Sequence, residues 1–487
     1  MLFPFTLPTT STISYPTYFE SPTYPSLPLL TSSHRGAVRN ALKAHKRLSP
    51  AAQGANIPFL IKELELYIAH LLALFGALSD NEAFFKAGGP QLATSWRAVL
   101  TSKKLTSNEP PRVLRPGLSY EIFWSLSTLA YAYTLLARSQ MQQILSPAST
   151  GGGASSSGSS SFSASSSASS STPAAANIFN QTSTNLLTSA SIFTYLLSLA
   201  KPPHANTWPA DISPQVLSAL SSLSLSAATL TAVVKQDPYP TYLALATIDV
   251  NKKNKKKEKK EKGGVTTDQS KEWLYNPPDP PSGVRALLLA RLCVAASDHA
   301  SKALGLLSTA SSPAGVLTND IVRYADSLQK VSRAKACRFL GIDAEASGRV
   351  GEAISWIRAA KDLLAPPPPG ASAFRAEKDT WGLDAGKSDE GKTLDALEQK
   401  WEKLNDTIMF QACPEARDLM TKIPGGREIH SVKTWEAPRL VGDDLKALRA
   451  EREGRGDEFI GGEEDSGGEE VDSKVEGGEY AGKGGYY

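Results

Sequence analysis

The sequence predicts an all-α fold, and two patterns support this prediction. Apolar side chains recur at three- and four-residue spacing through most of the 487 residues, as on the buried face of an amphipathic helix. No convincing strand alternation follows about residue 30. Residues 1–33 are rich in Pro, Thr, Ser and Tyr, so short extended strands are expected only at this N-terminal end.

The predicted helices form three sets, and a final single helix follows them. Residues 101–119 contain Pro110, Pro111 and Pro116, so this stretch is expected to be a connection inside the first set. In chain order the helices are expected at residues 35–48, 57–78 and 121–144, then 177–200 and 214–235, then 282–307, 319–346 and 349–364, and finally 394–410.

Composition divides the chain into one helical domain, residues 1–446, and an acidic Gly-rich tail, residues 447–487. The domain is expected to carry low-complexity insertions that are Ser-rich, Lys-rich and Pro-rich in turn, at residues 147–176, 251–270 and 366–392. From residue 451 the tail has 12 acidic residues, four basic ones and 11 glycines, so it cannot repay its own ordering entropy and is expected to be disordered. Its Tyr-rich end leaves two interpretations open: a spacer or a docking peptide.

The charge balance argues against several classes of protein. With 52 Lys and Arg against 49 Asp and Glu, the net charge is +3, which does not favour a nucleic-acid binder. The opening MLFPFTLPTT lacks a basic region and contains two prolines, so no signal peptide is expected. Residues 122–137 form a 16-residue uncharged run, shorter than the ~20 residues of a membrane span.

Motifs for catalysis or for metal and cofactor binding are weak. Cys293, Cys337 and Cys413 lack the spacing of a disulfide or zinc framework and are expected to be buried thiols in a reducing compartment. Ser297, Asp298 and His299 are consecutive, so on a helix they point in different directions. The pair Gly425–Gly426 precedes no phosphate-loop lysine and is expected to be a turn. We therefore expect no catalytic residues, no cofactor and no metal, although a cysteine hydrolase using Cys337 or Cys413 remains an alternative.

Residues 334–363, AKACRFLGIDAEASGRVGEAISWIRAAKDL, resemble a single tetratricopeptide helical hairpin. Gly341 and Ala353 would let two helices approach closely, and Gly348 would make the turn. No second good copy follows at a 34-residue period, so a regular repeat array is not expected.

Further motifs extend this resemblance to the BRO domain, the boomerang-shaped helical module of endosomal adaptors, over residues 1 to about 440. The stretch WEKLNDTIMFQACP has that family's Asn-Asp-x-Ile pattern before a proline, at Asn405, Asp406, Ile408 and Pro414. The opening LPTTSTISYPTYF is similar to the family's N-terminal strand. The segments LSALSSLSLSAATL and VRALLLARLCVAASDHASKAL stand where the family has its paired long helices.

The resemblance implies a non-enzymatic adaptor in the cytoplasm. Its expected partner is the C-terminal amphipathic helix of the Snf-type filament subunit of ESCRT-III, bound on an apolar patch. The family's patch residues correspond to Leu288, Leu292 and Ile429, although the leucine pair could equally be core packing.

Within the family, the single domain, the insertions and the ending YAGKGGYY resemble the fungal members that act in alkaline-pH signalling. This implies contact with components of a pH-signalling receptor complex. It also implies recruitment to the cell cortex or to endosomes, with membrane association through partners. General endosomal sorting and a membrane-surface structural role remain alternatives.

Overall fold

A computed structural model describes residues 2–102, 110–145, 173–199, 207–239, 284–312, 315–365, 382–440, 442, 444 and 447–449. Helices dominate these residues, which confirms the all-α prediction. The helices are α1 (Leu27–Arg47), α2 (Pro50–Ser79), α3 (Leu118–Leu145), α4 (Pro173–Ser198), α5 (Pro214–Gln236), α6 (Ala286–Thr309), α7 (Asn319–Ala346), α8 (Val350–Leu364), α9 (Lys387–Leu404) and α10 (Ala416–Met420).

The long helices pack in chain order, each from α1 to α9 against the next one in the sequence. Each helix between the first and the last of this series therefore lies between two neighbours. Most of the buried apolar residues form one hydrophobic core that reaches from the N-terminal segment to α9, and a smaller cluster lies between α3, α4 and α5. One described helix, Pro214–Gln236, is long and apolar enough to cross a membrane, but 83% of its most apolar window is buried inside the protein.

Short antiparallel strand pairs flank this stack. They are β1 (Phe19–Glu20) with β2 (Phe84–Phe85), β3 (Ala93–Arg97) with β4 (Arg112–Pro116), and β5 (Ser311–Ser312) with β6 (Gly315–Val316). The strand at the N-terminal end agrees with the sequence prediction.

The β3–β4 hairpin was not predicted, because residues 101–119 were interpreted only as a connection. Three consecutive β3 residues, Thr94, Ser95 and Trp96, are buried, so the strand shows no apolar and polar alternation. The buried Asp211 carboxylate stabilises the end of the hairpin by accepting from the backbone N–H of Val99 at 2.7 Å.

Several element boundaries also differ from the sequence predictions. Helix α1 begins at Leu27, eight residues earlier than expected, with a proline in its first turn. Residues 173–176 belong to α4, and residues 387–392 belong to α9, so both insertions are shorter than predicted. Helix α9 begins early because the Asp384 carboxylate accepts from the backbone N–H of Gly386 and Ser388.

Much of the predicted tail and most of the insertions lie outside the described residues. The described residues 447–449, however, are helical, and Leu448 is 9% exposed within the hydrophobic core. The ordered domain therefore extends past residue 446, where the sequence analysis placed its end.

The predicted helical hairpin is confirmed in α7 and α8. Gly348 makes the turn with a φ of +75°, which only glycine adopts without strain. A Cβ at Gly341 would lie 3.0 Å from the Trp401 ring and 3.2 Å from the Ala353 carbonyl oxygen. The hairpin therefore packs against Trp401 of α9 at Gly341, where there is no room for a side chain.

A buried carboxylate joins the elements of the N-terminal half. Glu121 on α3 accepts from Arg35 on α1 at 2.8 Å, from Trp96 on β3 at 2.7 Å and from Tyr67 on α2 at 2.8 Å. The hydroxyl of Tyr15 lies 2.8 Å from that of Tyr67. The network therefore joins four elements and the N-terminal segment around a buried ion pair of Arg35 and Glu121. The carboxylate is acceptable in the core because Arg35 compensates its charge and its oxygens are hydrogen-bonded.

A second buried network joins the C-terminal half. Arg338 on α7 donates to Glu390 on α9 at 2.6 Å and to Asp237, the residue after α5, at 3.2 Å. Lys335 also pairs with Glu390, and the Arg338 guanidinium lies 4.4 Å from the centre of the Phe339 ring. The positive charges of Arg338 and Lys335 therefore compensate the negative charges of Asp237 and Glu390 in the core.

Burial disfavours the charge of Glu390, but Arg338 and Lys335 outweigh it and hold its pKa below the usual value. Glu390→Gln should therefore lower the free energy of unfolding by about 3–5 kcal/mol near pH 7, since it leaves buried cations undercompensated. A group with a lowered folded pKa stabilises the fold above its unfolded pKa, and this contribution disappears as the pH falls. The difference between the two proteins should therefore shrink in acid, as measured by urea unfolding.

The adjacent exposed residue provides a matched control. Asp389 is exposed on the same turn, and Asp389→Asn should change stability by no more than about 0.5 kcal/mol. Equal effects of the two substitutions would contradict the role of the buried network.

A candidate partner-binding face on helix α6

The predicted leucine pair lies in the first two turns of α6, but its two members have different environments. Leu292 is 6% exposed and belongs to the hydrophobic core. Leu288 is half-buried and packs against the edge of the same core, while its neighbour Leu287 is 41% exposed. The structure therefore presents Leu288, but not Leu292, at the surface, because the helix turns Leu292 towards its neighbouring helices.

An extended segment that we call the C-terminal arm, residues 421–440, lies over the same helix. The Arg291 side chain donates to the Gly425 carbonyl at 3.1 Å, and the Arg427 N–H donates to the Arg291 carbonyl at 3.0 Å. A Cβ at Gly426 would lie 2.9 Å from the Ala295 nitrogen. The arm backbone thus touches the helix backbone directly.

From α6 the arm continues across two further helices. His299 lies 3.7 Å from the carboxylate of Glu428. Burial lowers the pKa of His430, and the nearby backbone of Ala228 on α5 opposes this shift. The Trp435 ring stacks edge-on against Tyr195 on α4, with centroids 5.2 Å apart. The arm is therefore held at successive points by α6, α5 and α4.

The arm covers one stripe of α6. Leu288, Arg291, Ala295 and His299 are spaced i, i+3, i+7 and i+11 and so share a face of the helix. The arm contacts this stripe from Arg291 to His299. At the N-terminal end of the stripe, Leu288 is half-buried against the core, and its neighbour Leu287 is 41% exposed.

Ile429 is 42% exposed on the arm, next to the residue that contacts His299. At 1.5 Å per residue, His299 lies about 16 Å along the helix from Leu288. Ile429 follows Arg427, which bonds to Arg291, and Glu428, which faces His299. The structure therefore places Ile429 on the arm, beside the stripe of α6 that begins at Leu288.

Polar groups surround these apolar residues. Arg291, Arg427 and Glu428 are exposed, and Asp298 is exposed on the same helix. Burial lowers the pKa of His299 although Glu428 opposes this shift, so the imidazole is mostly neutral near pH 7. An exposed apolar residue with a mixed polar rim suits recognition of an amphipathic helix.

The candidate catalytic groups are not arranged for chemistry. Ser297 donates to the Gln329 carbonyl on α7 at 3.2 Å, whereas His299 faces the arm. Burial raises the pKa of Cys337 to about 12, and its sulfur lies 3.8 Å from that of Met420. A protonated thiol in an apolar environment is the opposite of an activated nucleophile.

The prediction for the three cysteines needs one correction. Cys293 and Cys337 are buried, but Cys413 is exposed, because it follows the last long helix in an irregular segment whose side chains are mostly at the surface. Within the described ranges, no cluster of three or more His, Cys, Asp or Glu side chains could hold a metal ion.

Sequence reasoning missed the arm contacts. The Gly425–Gly426 pair was interpreted as a turn, yet only Gly426 has a packing role, since a Cβ at Gly425 would meet nothing within 4 Å. The adjacent glycines were the available signal, but the partner helix lies about 130 positions away in the sequence and could not be inferred from it.

Solved structures identify the class of protein. The ALIX BRO1 domain in complex with CHMP4C has a TM-score of 0.51 and 14% identity, and the match covers 90% of this chain and 96% of that one. ALIX in complex with the SIVmac239 PYKEVTEDL late domain has a TM-score of 0.54 and 14% identity, covering 90% of this chain and 49% of that one. The fold is that of a BRO domain, as the sequence resemblance implied.

Curated relatives identify the family, although no family model matches the chain. The pH-response regulator protein palC of Emericella nidulans is 33% identical and covers 88% of each chain. The palC protein of Cryptococcus neoformans is 25% identical over 99% of each chain. The chain belongs to the palC family of pH-response regulators.

The close contact at Gly426 generates a prediction about the arm. Gly426→Ala would place a methyl group 2.9 Å from backbone atoms that cannot move freely, so the arm should lift from α6. Hydrogen exchange in residues 421–440 should then accelerate by about tenfold or more, which corresponds to the loss of roughly 1.4 kcal/mol of local stability.

Gly425→Ala is the matched control, because the added methyl group enters open space. Its exchange rates should equal those of the unaltered protein. Faster exchange in both variants would show that the close contact of Gly426 with Ala295 is not what holds the arm on α6.

Proposed function

We propose that this protein is a non-enzymatic adaptor of fungal alkaline-pH signalling that binds the Snf-type subunit of ESCRT-III through its BRO domain. In this role it helps to assemble the complex that leads to proteolytic activation of a pH-responsive transcription factor. The observation that carries the proposal is the partly exposed Leu288, beside the exposed Leu287, at the N-terminal end of α6 in a member of the palC family. The ALIX structure with CHMP4C supports the choice of partner class.

The partner helix would lie along the edge of the arm. Leu288 supplies one apolar anchor, and Ile429, on the arm beside the same stripe of α6, supplies a second. An amphipathic helix of about 12 residues presents apolar residues at i, i+4, i+7 and i+11. The exposed Arg291, between the two anchors, would contact the polar side of that helix.

Location follows from the same proposal. The protein would be cytoplasmic and would reach cortical sites of the plasma membrane, or endosomes, through its partners. Components of the pH-signalling receptor complex would supply the specificity for the pH response over general endosomal sorting.

The proposal predicts the effect of a charge at the first anchor. Leu288→Asp should weaken binding of a Snf-type C-terminal peptide by about 2 kcal/mol, or 30-fold, because a carboxylate replaces a buried apolar contact. Isothermal titration calorimetry measures the affinity, and circular dichroism reports whether the domain remains folded.

Two substitutions on the same helix serve as controls. Leu304 is also half-buried against the core, but it lies about 160° around the helix from Leu288, so Leu304→Asp should leave affinity unchanged. Leu292→Asp should destabilise the whole domain, since it buries an unpaired charge in the core. A folded Leu288→Asp protein with undiminished affinity would exclude this face as the binding site.

A further inference from the structure

Helix α1 carries a surface of positive charge. Arg39, Lys43 and Arg47 are spaced i, i+4 and i+8, so they form a stripe along one side of the helix. Lys46 and Arg47 are exposed in its last turn. No acidic residue occurs in α1, and Glu20 is the only one in residues 1–62 of the sequence.

The β3–β4 hairpin brings another cation to the same place. Arg112 on β4 pairs in register with Arg97 on β3, and its guanidinium is held 3.4 Å from the Thr9 hydroxyl. Desolvation, and then the positive charges of Arg39, Arg112 and Arg47, lower the pKa of Lys43. We call Arg39, Lys43, Lys46, Arg47 and Arg112 the basic surface.

Like charges at helical spacing repel each other, and their clustering opposes folding. Within the described part of the chain, no carboxylate forms an ion pair with Arg39, Lys43 or Arg47. These three cations are complementary to an anionic ligand that lies beyond the described residues, whereas Lys46 and Arg112 beside them have other interactions.

The chain itself contains an anionic segment. Residues 451–487 have 12 acidic and four basic residues, a net charge of −8, whereas the preceding 450 residues carry 48 basic and 37 acidic ones, a net charge of +11. The near-neutral total of +3 therefore conceals two regions of opposite sign.

The acidic segment is long enough to reach the basic surface. Leu448, just before the segment, belongs to the hydrophobic core. Helices α4, α3, α2 and α1 of that core pack in sequence, so three interhelical spacings of 8–10 Å separate α1 from α4, about 24–30 Å. Fully extended, residues 451–487 span up to about 120 Å. Because the segment is tethered, its effective concentration at the surface is in the millimolar range.

We propose that the acidic segment 451–487 binds the basic surface of α1 and the β3–β4 hairpin in the same molecule. The contact is electrostatic and requires no secondary structure in the segment, since charges within a Debye length of about 8 Å attract without fixed geometry. The surface is thereby occupied by an internal anion, and an external anion must compete with it. The proposal does not depend on the proposed function, because α6 and the arm take no part in it.

Zero-length carbodiimide cross-linking of the full-length protein tests the contact, because it joins carboxylates to lysine amines that touch. Mass spectrometry should find residues 451–487 linked to Lys43 and Lys46. Arg39→Glu combined with Arg47→Glu keeps both reporter lysines and should reduce these links about tenfold, as should ~1 M NaCl, where the Debye length falls to about 3 Å.

Arg349→Glu combined with Arg417→Glu is the matched control, with the same change of net charge at two exposed positions, one just before α8 and one on α10. It should retain the links. Circular dichroism of each variant verifies the fold, and the salt experiment needs no variant.

Three results would overturn the proposal. Links that persist in a folded Arg39→Glu, Arg47→Glu protein would show that the basic surface is not needed. Links found only to lysines of residues 252–262 would show that the acidic segment binds that Lys-rich stretch and not the basic surface. Sedimentation with phosphatidylserine vesicles that depends on Arg39 and Arg47, without any links to Lys43 or Lys46, would make a lipid bilayer the occupant.

Discussion

The orientation of the helices in the C-terminal half depends on the burial of Arg338 with two carboxylates. Asp237 and Glu390 come from opposite sides of α7 in the stack, and both must be in place before the guanidinium can leave water. Burial opposes the charge, yet the two acids hold the pKa of Arg338 above its usual value. We expect buried ion pairs of this kind to contribute little net stability but to select one arrangement of the helices, because any other arrangement would leave a buried charge without a partner.

This constraint reaches the candidate binding face through α6. Helix α6 packs between α5 and α7, the helices that the network connects, so the rotation of α6 about its axis is set by its neighbours. That rotation determines that Leu292 is buried and Leu288 lies at the edge of the core. The arm then covers the adjoining stripe by backbone contact at Gly426. A surface built on rigid helices in this way loses little entropy when a partner binds.

Sequence reasoning succeeded where the signal is local. Helical periodicity located every long helix, and the Gly348 turn and the Gly341 contact followed from residue size and backbone freedom. It failed where both faces of a segment are buried, as in the hairpin around Trp96, whose pattern resembles neither an exposed strand nor a helix. It also failed at the start of α9. The charged sequence around Glu390 is typical of an exposed loop, but Glu390 is buried because it pairs with Arg338 and Lys335.

The sequence by itself determined the all-α class, the order of the helices, the family resemblance and the helix that carries the candidate face. Only the tertiary structure decided which of two leucines one turn apart is available, because periodicity cannot distinguish a residue that packs on a neighbouring helix from one at the edge of that contact. Likewise, the pairing of Arg338 with Asp237, 101 positions away, and the docking of Gly426 on α6 join distant segments. Such contacts follow from the packing of whole elements, and no local pattern of residues encodes them.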